Sequence, residues 1–362
     1  MIKVLHCELS YTSGGIENFL LNFTSQVNKE EFQFDFLTHW EKIATEYRFV
    51  EMGCNVYKAP KALFKYIKYV KKLLIEKKYD IIHIHKNSAA NIVLPILAMK
   101  YSNAKIIVHS HNTKPNQDKF LTRLLHKINR RKLIKIADKK YACSELAANW
   151  LFGSCDNVTI INNGILVDKF KFNQEKRLSM REKYGIGFDS FVIGHVGGFR
   201  EQKNHSFLVN VFYEYIKFNP NSYLMLIGGG RLKNQIVEQV KGLGISNKVI
   251  FVGVVDNTFD YYQAMDVIVM PSLWEGLPVS TIEAQTNGLK VLISDTSSRM
   301  CNITGLVDFI SLDSVENWIN KLRLLKTNDC RISPVDKIIL NGFDVKTTTD
   351  RILNDYLTLV KE

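Results

Sequence analysis

Residues 271–288 read PSLWEGLPVSTIEAQTNG, and they follow an apolar run, DVIVM, that ends in Met270. Pro271 stops that strand, Gly276-Leu277-Pro278 makes a tight turn, and Pro278 fits the first turn of a helix. Glu275 therefore stands in the turn while Glu283 lies two helical turns further on. Gly276 frees amides at a helix N-terminus, which suits a diphosphate. Each carboxylate can accept hydrogen bonds from hydroxyls. Phosphate-binding backbone beside two carboxylates points to a ligand that carries both phosphate and polyol.

The same strand–turn–helix unit recurs on both sides of this stretch. Upstream, IKVLHC, FQFDFLTHW, DIIHIH, KIIVHSH, KKYACS and VTIINNG alternate with helix-like patterns such as IENFLLNFTSQV and LFKYIKYVKKLLIEKK. The alternation pauses at the charged stretch KFNQEKRLSMREKYGIGFDS and restarts with FVIGHVGGF, SYLMLIGGG, KVIFVG, DVIVMPS and LKVLIS. Alternating strands and helices imply parallel sheets with both faces covered. We therefore expect an α/β protein of two doubly wound domains, 1–172 and 173–342, joined near residues 170–188. A C-terminal helix, 343–362, is expected to pack back on the first domain.

Composition bounds the rest. A chain of 362 residues with 46% hydrophobic content can bury two cores. The six cysteines are scattered with no C-x-x-C pair, which fits reduced thiols and a cytoplasmic setting. No run approaches the length of a membrane span, and the first residues alternate like a strand instead of forming a signal peptide. Residues 1–170 hold 26 Lys/Arg against 15 Asp/Glu, so nearly all of the net +12 belongs to the first half. Such a surface suits an anionic partner. Nucleic acid is disfavoured because basic and aromatic residues do not interleave on a recognisable module.

Three further turns carry chemistry. In SGGIENFL, residues 13–20, Gly14 and Gly15 let the backbone approach an anion after the first strand. In GHVGGFREQKN, residues 194–204, Gly198 precedes Arg200 and Lys203, a forked and a point charge for phosphate. LIGGGRLKN, residues 226–234, is either a plain turn or a wall of the same pocket. No G-x-G-x-x-G follows a strand, which disfavours a nicotinamide-dependent oxidoreductase.

The stretch EGLPVSTIE, with GGIENF, NNGI and REQKN, resembles the retaining glycosyltransferases of family 4, over nearly the whole chain. The resemblance implies a GT-B architecture of two Rossmann-like domains with a ligand cleft between them. It implies a nucleotide-diphosphate sugar as donor, a UDP-sugar by family frequency, with Lys203 on the diphosphate. Glu283 would meet the ribose hydroxyls, Glu275 the donor sugar, and Gly276, Leu277 and Pro278 would line the turn. The family's arginine directly after Gly197 is replaced here by Gly198, and Arg200 is expected to supply that charge. A histidine near the reacting sugar is implied as well. IIVHSHN offers His109 and His111 on one strand face, with His109 favoured.

The resemblance implies metal-independent, retaining transfer, without a cofactor, to a sugar or lipid-linked glycan acceptor in polysaccharide or glycolipid assembly. His83 and His85 are expected to be structural, since no carboxylates accompany them. A nucleotide-sugar epimerase and a non-catalytic nucleotide-sugar-binding subunit are the alternatives. Two lysine-rich segments, 61–78 and 119–140, suit a peripheral contact with an anionic membrane. Their apolar stripes, Leu63, Ile67, Val70, Leu74 and Leu121, Leu124, Leu125, Ile128, are expected to pack against the sheet and leave the cations as a surface field.

Overall fold

The structure, a computed structural model, describes residues 1–9, 15–112, 120–275, 277–327 and 331–362. Gly14 and Gly276 lie outside the described residues. The chain divides into two compact units, Met1–Ile165 with Gly342–Glu362, and Leu166–Asn341.

The first unit is built on β1 (Ile2–Cys7), β2 (Phe32–Thr38), β3 (Asn55–Lys58), β4 (Ile81–Lys86), β5 (Lys105–Ser110), β6 (Lys139–Ala142) and β7 (Thr159–Ile160). They form one sheet in the order β3-β2-β1-β4-β5-β6-β7, and every pairing is parallel. Alternation along the strands sends Leu5, Cys7, Ile82, Ile84, Ile106 and Val108 into one core. Val4, Phe34, Phe36, Ile81 and Ile107 go into the other, beneath the helices Gly15–Thr24 and Val345–Lys361. Burial on both faces is why these strands read as apolar runs.

The second unit repeats the plan with β8 (Phe191–Val196), β9 (Ser222–Ile227), β10 (Val249–Gly253), β11 (Val267–Met270), β12 (Lys290–Ser294) and β13 (Val307–Ile310). Their order is β10-β9-β8-β11-β12-β13, again all parallel. Both sheets are thus doubly wound, as the alternation predicts. Their order reverses between β1 and β4 and between β8 and β11. In open α/β sheets a ligand crevice opens beyond the strand ends at such a reversal.

Within the charged stretch that interrupts the pattern, the helix Gln174–Lys183 buries Arg177 and Arg181. Each donates to one carboxylate oxygen of buried Asp266 at 2.7 Å, and Arg177 also caps the carbonyls of Gln263 and Met265. This network lies just before β11, at the end of the sheet away from the crevice.

One expectation fails on the helix Phe120–Ile136. Leu121, Leu124, Leu125 and Ile128 do not pack on the sheet: they are 38–62% exposed, and Phe120 is 83% exposed. The inner face belongs to His126, Asn129, Leu133 and Ile136. His126 accepts from the Ala89 amide and donates to the Trp150 carbonyl, while Asn129 donates to the Ala90 carbonyl. Polar inward contacts turn the leucine stripe outward. In the helix Leu63–Lys77 the expected stripe is buried at Val70 and Leu74, whereas Leu63 in its first turn is exposed.

Candidate functional site

The loops that follow β8 and its neighbour β9 meet main chain to main chain. The Gly197 amide donates to the Ile227 carbonyl, and the Phe199 amide to the Gly229 carbonyl, each at 2.9 Å. A Cβ on Gly228, whose φ is +141°, would collide with the Gly197 carbonyl. One on Gly230 would lie 2.6 Å from the Phe199 carbonyl oxygen. Only glycine permits this contact.

Beyond Gly198 a single 3₁₀ turn, Glu201–Lys203, carries the lysine back over the strand end. Lys203 Nζ donates to Glu275 Oε1 at 2.5 Å, and both side chains are largely buried. The turn after β11 is clamped to the same element. The Leu273 amide donates to the Gln202 carbonyl at 2.8 Å, and Gln202 Nε2 donates to the Trp274 carbonyl at 2.9 Å and to Glu275 Oε2 at 3.4 Å. The structure therefore joins Lys203 and Glu275, which sequence reading placed in separate motifs. Arg200 is exposed and forms no ion pair among the described residues, although its guanidinium stem passes Gly198.

Leu277 and buried Pro278 lead into the helix Val279–Thr286, whose first turn is tied by Thr281 Oγ1 donating to the Pro278 carbonyl at 2.7 Å. Glu283 sits in its second turn and accepts from the Tyr262 hydroxyl at 2.7 Å. Desolvation raises its pKa from the usual carboxylate range to about 7. Under the strand end, His195 donates from Nδ1 to the Val269 carbonyl at 2.8 Å, which leaves buried Nε2 as an acceptor with no described partner. Burial and the neighbouring His205 hold its pKa well below the ordinary value.

The first unit fills the corresponding place with imidazoles. His6 is in register with His83, and His85 with His109, so the strand ends of β1, β4 and β5 form lateral histidine rows. His111 follows β5, its ring centroid 3.9 Å from that of His109. His109 is wholly buried, whereas His111 is partly exposed. Burial drives all five pKa values down, to about 3 for His6 and His111, so the cluster is neutral. Gly15 opens the helix over this face, and a Cβ there would meet nothing within 4 Å.

Gln202, Tyr262, His6 and Tyr356 were not singled out from the sequence. A histidine near the end of β1 as well as of β4 and β5 was a legible signal for His6. Tyr262, 21 residues before Glu283 and on another helix, left no local trace.

A family model described as Glycosyl transferases group 1 matches residues 190–328, and one described as Glycosyltransferase Family 4 matches residues 13–169. The EpsF protein of Bacillus subtilis (strain 168) is 29% identical over 98% of this chain and 96% of its own. An Escherichia coli protein named UDP-Gal:alpha-D-GlcNAc-diphosphoundecaprenol alpha-1,3-galactosyltransferase is 24% identical over 99% of this chain and 97% of its own. Among solved structures, Anabaena HepE in complex with UDP and glucose superposes with a TM-score of 0.78 at 17% identity, over 99% of this chain and 100% of that one.

Proposed function

The chain belongs to the group 1, family 4 glycosyltransferases, and from that premise we infer that it is a retaining, metal-independent transferase that moves a sugar from a UDP-sugar to an acceptor hydroxyl. The observation that carries this reading is the Lys203–Glu275 pair over bare glycine backbone at the β8/β11 reversal. Without ligand, Glu275 holds the lysine's charge. With donor bound, Lys203 turns to the diphosphate, and Glu275, still held by Gln202, accepts from sugar hydroxyls. Glu283 accepts from the ribose hydroxyls, with Leu277 and Pro278 beside it. Arg200 and the amides opening the helix at Val279 add to the positive field, the kind of preorganised stabilisation that usually dominates such catalysis.

The bond from the anomeric carbon to the diphosphate oxygen breaks, and the acceptor hydroxyl attacks from the same face. Its proton passes to the departing diphosphate oxygen. The reading takes Glu275, bonded to Lys203 and Gln202, as a hydrogen-bond acceptor, and a same-face course needs no protein nucleophile. Of the two histidines in IIVHSHN, His111 has the exposed surface to touch the transferred sugar, and His109 stands behind it. The name of the Escherichia coli relative and the UDP in HepE support a UDP-sugar and a lipid-linked glycan acceptor. The setting is then cell-surface polysaccharide or glycolipid assembly on the cytoplasmic side.

No described helix is long and apolar enough to cross a membrane. A lipid-linked acceptor would be reached instead through the helix Phe120–Ile136, whose exposed Leu121, Leu124, Leu125 and Ile128 lie among Lys127, Arg131 and Lys132. An apolar face flanked by cations suits the interface of an anionic leaflet.

Mass spectrometry of the purified protein with UDP- and GDP-sugars, with and without a polyprenyl-diphosphate glycan, tests the transferase reading. A glycosylated acceptor with retained anomeric configuration, undiminished by a chelator, is expected. Isomerised donor without acceptor would make it an epimerase, and binding without turnover a silent subunit. Vesicle co-sedimentation tests the membrane contact: binding to anionic but not neutral lipid, lost on Leu124→Glu, is expected. Equal recovery in the supernatant with both lipids would leave a soluble acceptor.

A further inference from the structure

We propose that His85, His109 and His111 form a binding site for a zinc-class divalent cation. One ring nitrogen from each lies within 4.8 Å of the other two. Tetrahedral zinc with bonds of about 2.0–2.1 Å needs nitrogens about 3.3 Å apart, so His85 Nδ1 and His111 Nε2, now 2.8 Å apart, would part by about 0.5 Å to hold it.

The hydrogen bonds favour this trio over His6, His83 and His85, which meet the same distance criterion. A ligating imidazole normally gives its other N–H to an outer acceptor that fixes its tautomer. His109 Nδ1 faces His83 Nε2 at 3.3 Å, and His83 Nδ1 faces the Tyr356 hydroxyl at 2.5 Å. With His109 donating to His83 and His83 to Tyr356, a bare lone pair is left on His109 Nε2, which is buried and has no described partner. His85 Nε2 faces His6 Nδ1 at 3.1 Å, which frees its Nδ1 for an ion, and that atom now shares a hydrogen bond with His111 Nε2 at 2.8 Å. A cation would replace this shared proton by a tautomer shift, with no net proton lost. His111 Nδ1 also lacks a described partner. The trio has a way in, because His111 is partly exposed, whereas His6, His83 and His85 are all buried.

The donor set names the ion class. Three imidazoles with no carboxylate or thiolate in the group suit zinc, copper or nickel, while magnesium and manganese prefer oxygen. The group supplies three of the four ligands of tetrahedral zinc, and its partly exposed member is His111. If His111 touches the transferred sugar, as proposed above, the ion blocks transfer; that consequence rests on the transferase reading, but binding does not.

The test uses the full chain stripped with a chelator, then titrated with Zn²⁺ against a chromogenic competitor and with Co²⁺ as a visible reporter. One Zn²⁺ per chain is expected, with a four-coordinate Co²⁺ spectrum free of a thiolate charge-transfer band and no competition from equimolar Mg²⁺ or Mn²⁺. His111→Asn and His109→Asn should each weaken binding at least about tenfold, while His39→Asn, at an exposed histidine outside the cluster, should not. Tyr356→Phe, which keeps all three ligands, should weaken it less, a check that does not depend on a core histidine variant folding. No stoichiometric binding would overturn the proposal, as would a thiolate band or unchanged affinity in both His111→Asn and His109→Asn. Inhibition of transfer by Zn²⁺ is a separate readout; its absence alongside binding would count against the role given to His111 and not against the site.

Discussion

The two sheets wind alike, yet at their reversals one presents main chain and the other side chains. Beyond β8 the chain runs through Gly197 and Gly198 against Gly228–Gly230, and the charged pair Lys203–Glu275 stands over it. At the ends of β1, β4 and β5, His6, His83, His85 and His109 fill the same position with neutral rings. Topology fixes where a ligand can enter, and residue choice fixes what enters. Bare backbone beside an ion-paired lysine suits an anion, whereas uncharged imidazoles orient hydroxyls or take a soft cation.

The contrast breaks most sharply if the glycines prove dispensable. Gly228→Ala forces a side chain into a backbone conformation only glycine favours and against the Gly197 carbonyl. It should cost about 2–4 kcal/mol, visible as a lowered melting temperature in calorimetry. Gly15→Ala in the first unit, with open space around it, should melt like the parent. Next in size, Lys203→Ala should lower turnover about 100-fold, the scale of a lost oxyanion donor. Turnover within about threefold of the parent, on the scale of RT ln 3, would remove the lysine from the site. His111→Asn, which removes a neutral hydrogen-bonding group, should cost only about tenfold in kcat, roughly the value of one such bond. A loss as large as that of Lys203→Ala would erase the distinction between the two strand ends.

The smallest effect concerns pH. Glu283 holds its proton up to about pH 7 in the fold. The folded state thus binds more protons than the unfolded one between the ordinary carboxylate value and 7, and its stability falls as pH rises through that window. Ribose hydroxyls prefer the ionised carboxylate, so affinity for a UDP-sugar should rise about threefold from pH 6.5 to 7.5. A UDP-sugar is the right probe because its diphosphate is a diester that does not titrate there. His195 and His205 stay neutral across this range, since burial lowers both. Glu283→Gln should flatten the profile, and an unchanged slope in that variant would assign the titration elsewhere.

Much of this fold was legible because each buried strand is a short β-branched run closed by glycine, proline or a polar turn, a local pattern. The glycine motifs and both glutamates could be read for the same reason. What escaped depends on contacts distant in sequence: Lys203 meets Glu275 across 72 residues, and Tyr262 reaches Glu283 from another helix. The leucine stripe at 121–128 was correctly helical but assigned the wrong side. Periodicity reports a face, and only the inward hydrogen bonds of His126 and Asn129 say which way it turns. Nothing local in the charged stretch marks Arg177 and Arg181 as buried, because their partner, Asp266, is distant in sequence.

The central claim, that Lys203 and Glu283 hold the nucleotide while Glu275 serves the sugar, is tested most directly by calorimetric titration with UDP. The parent chain should bind UDP. Glu283→Ala should weaken binding about tenfold, the loss of a hydrogen-bonded carboxylate, and Glu275→Ala, which releases Lys203 from its ion pair, should bind UDP as tightly as the parent or more so. Equal loss of UDP affinity in both variants, or no binding by the parent, would contradict it.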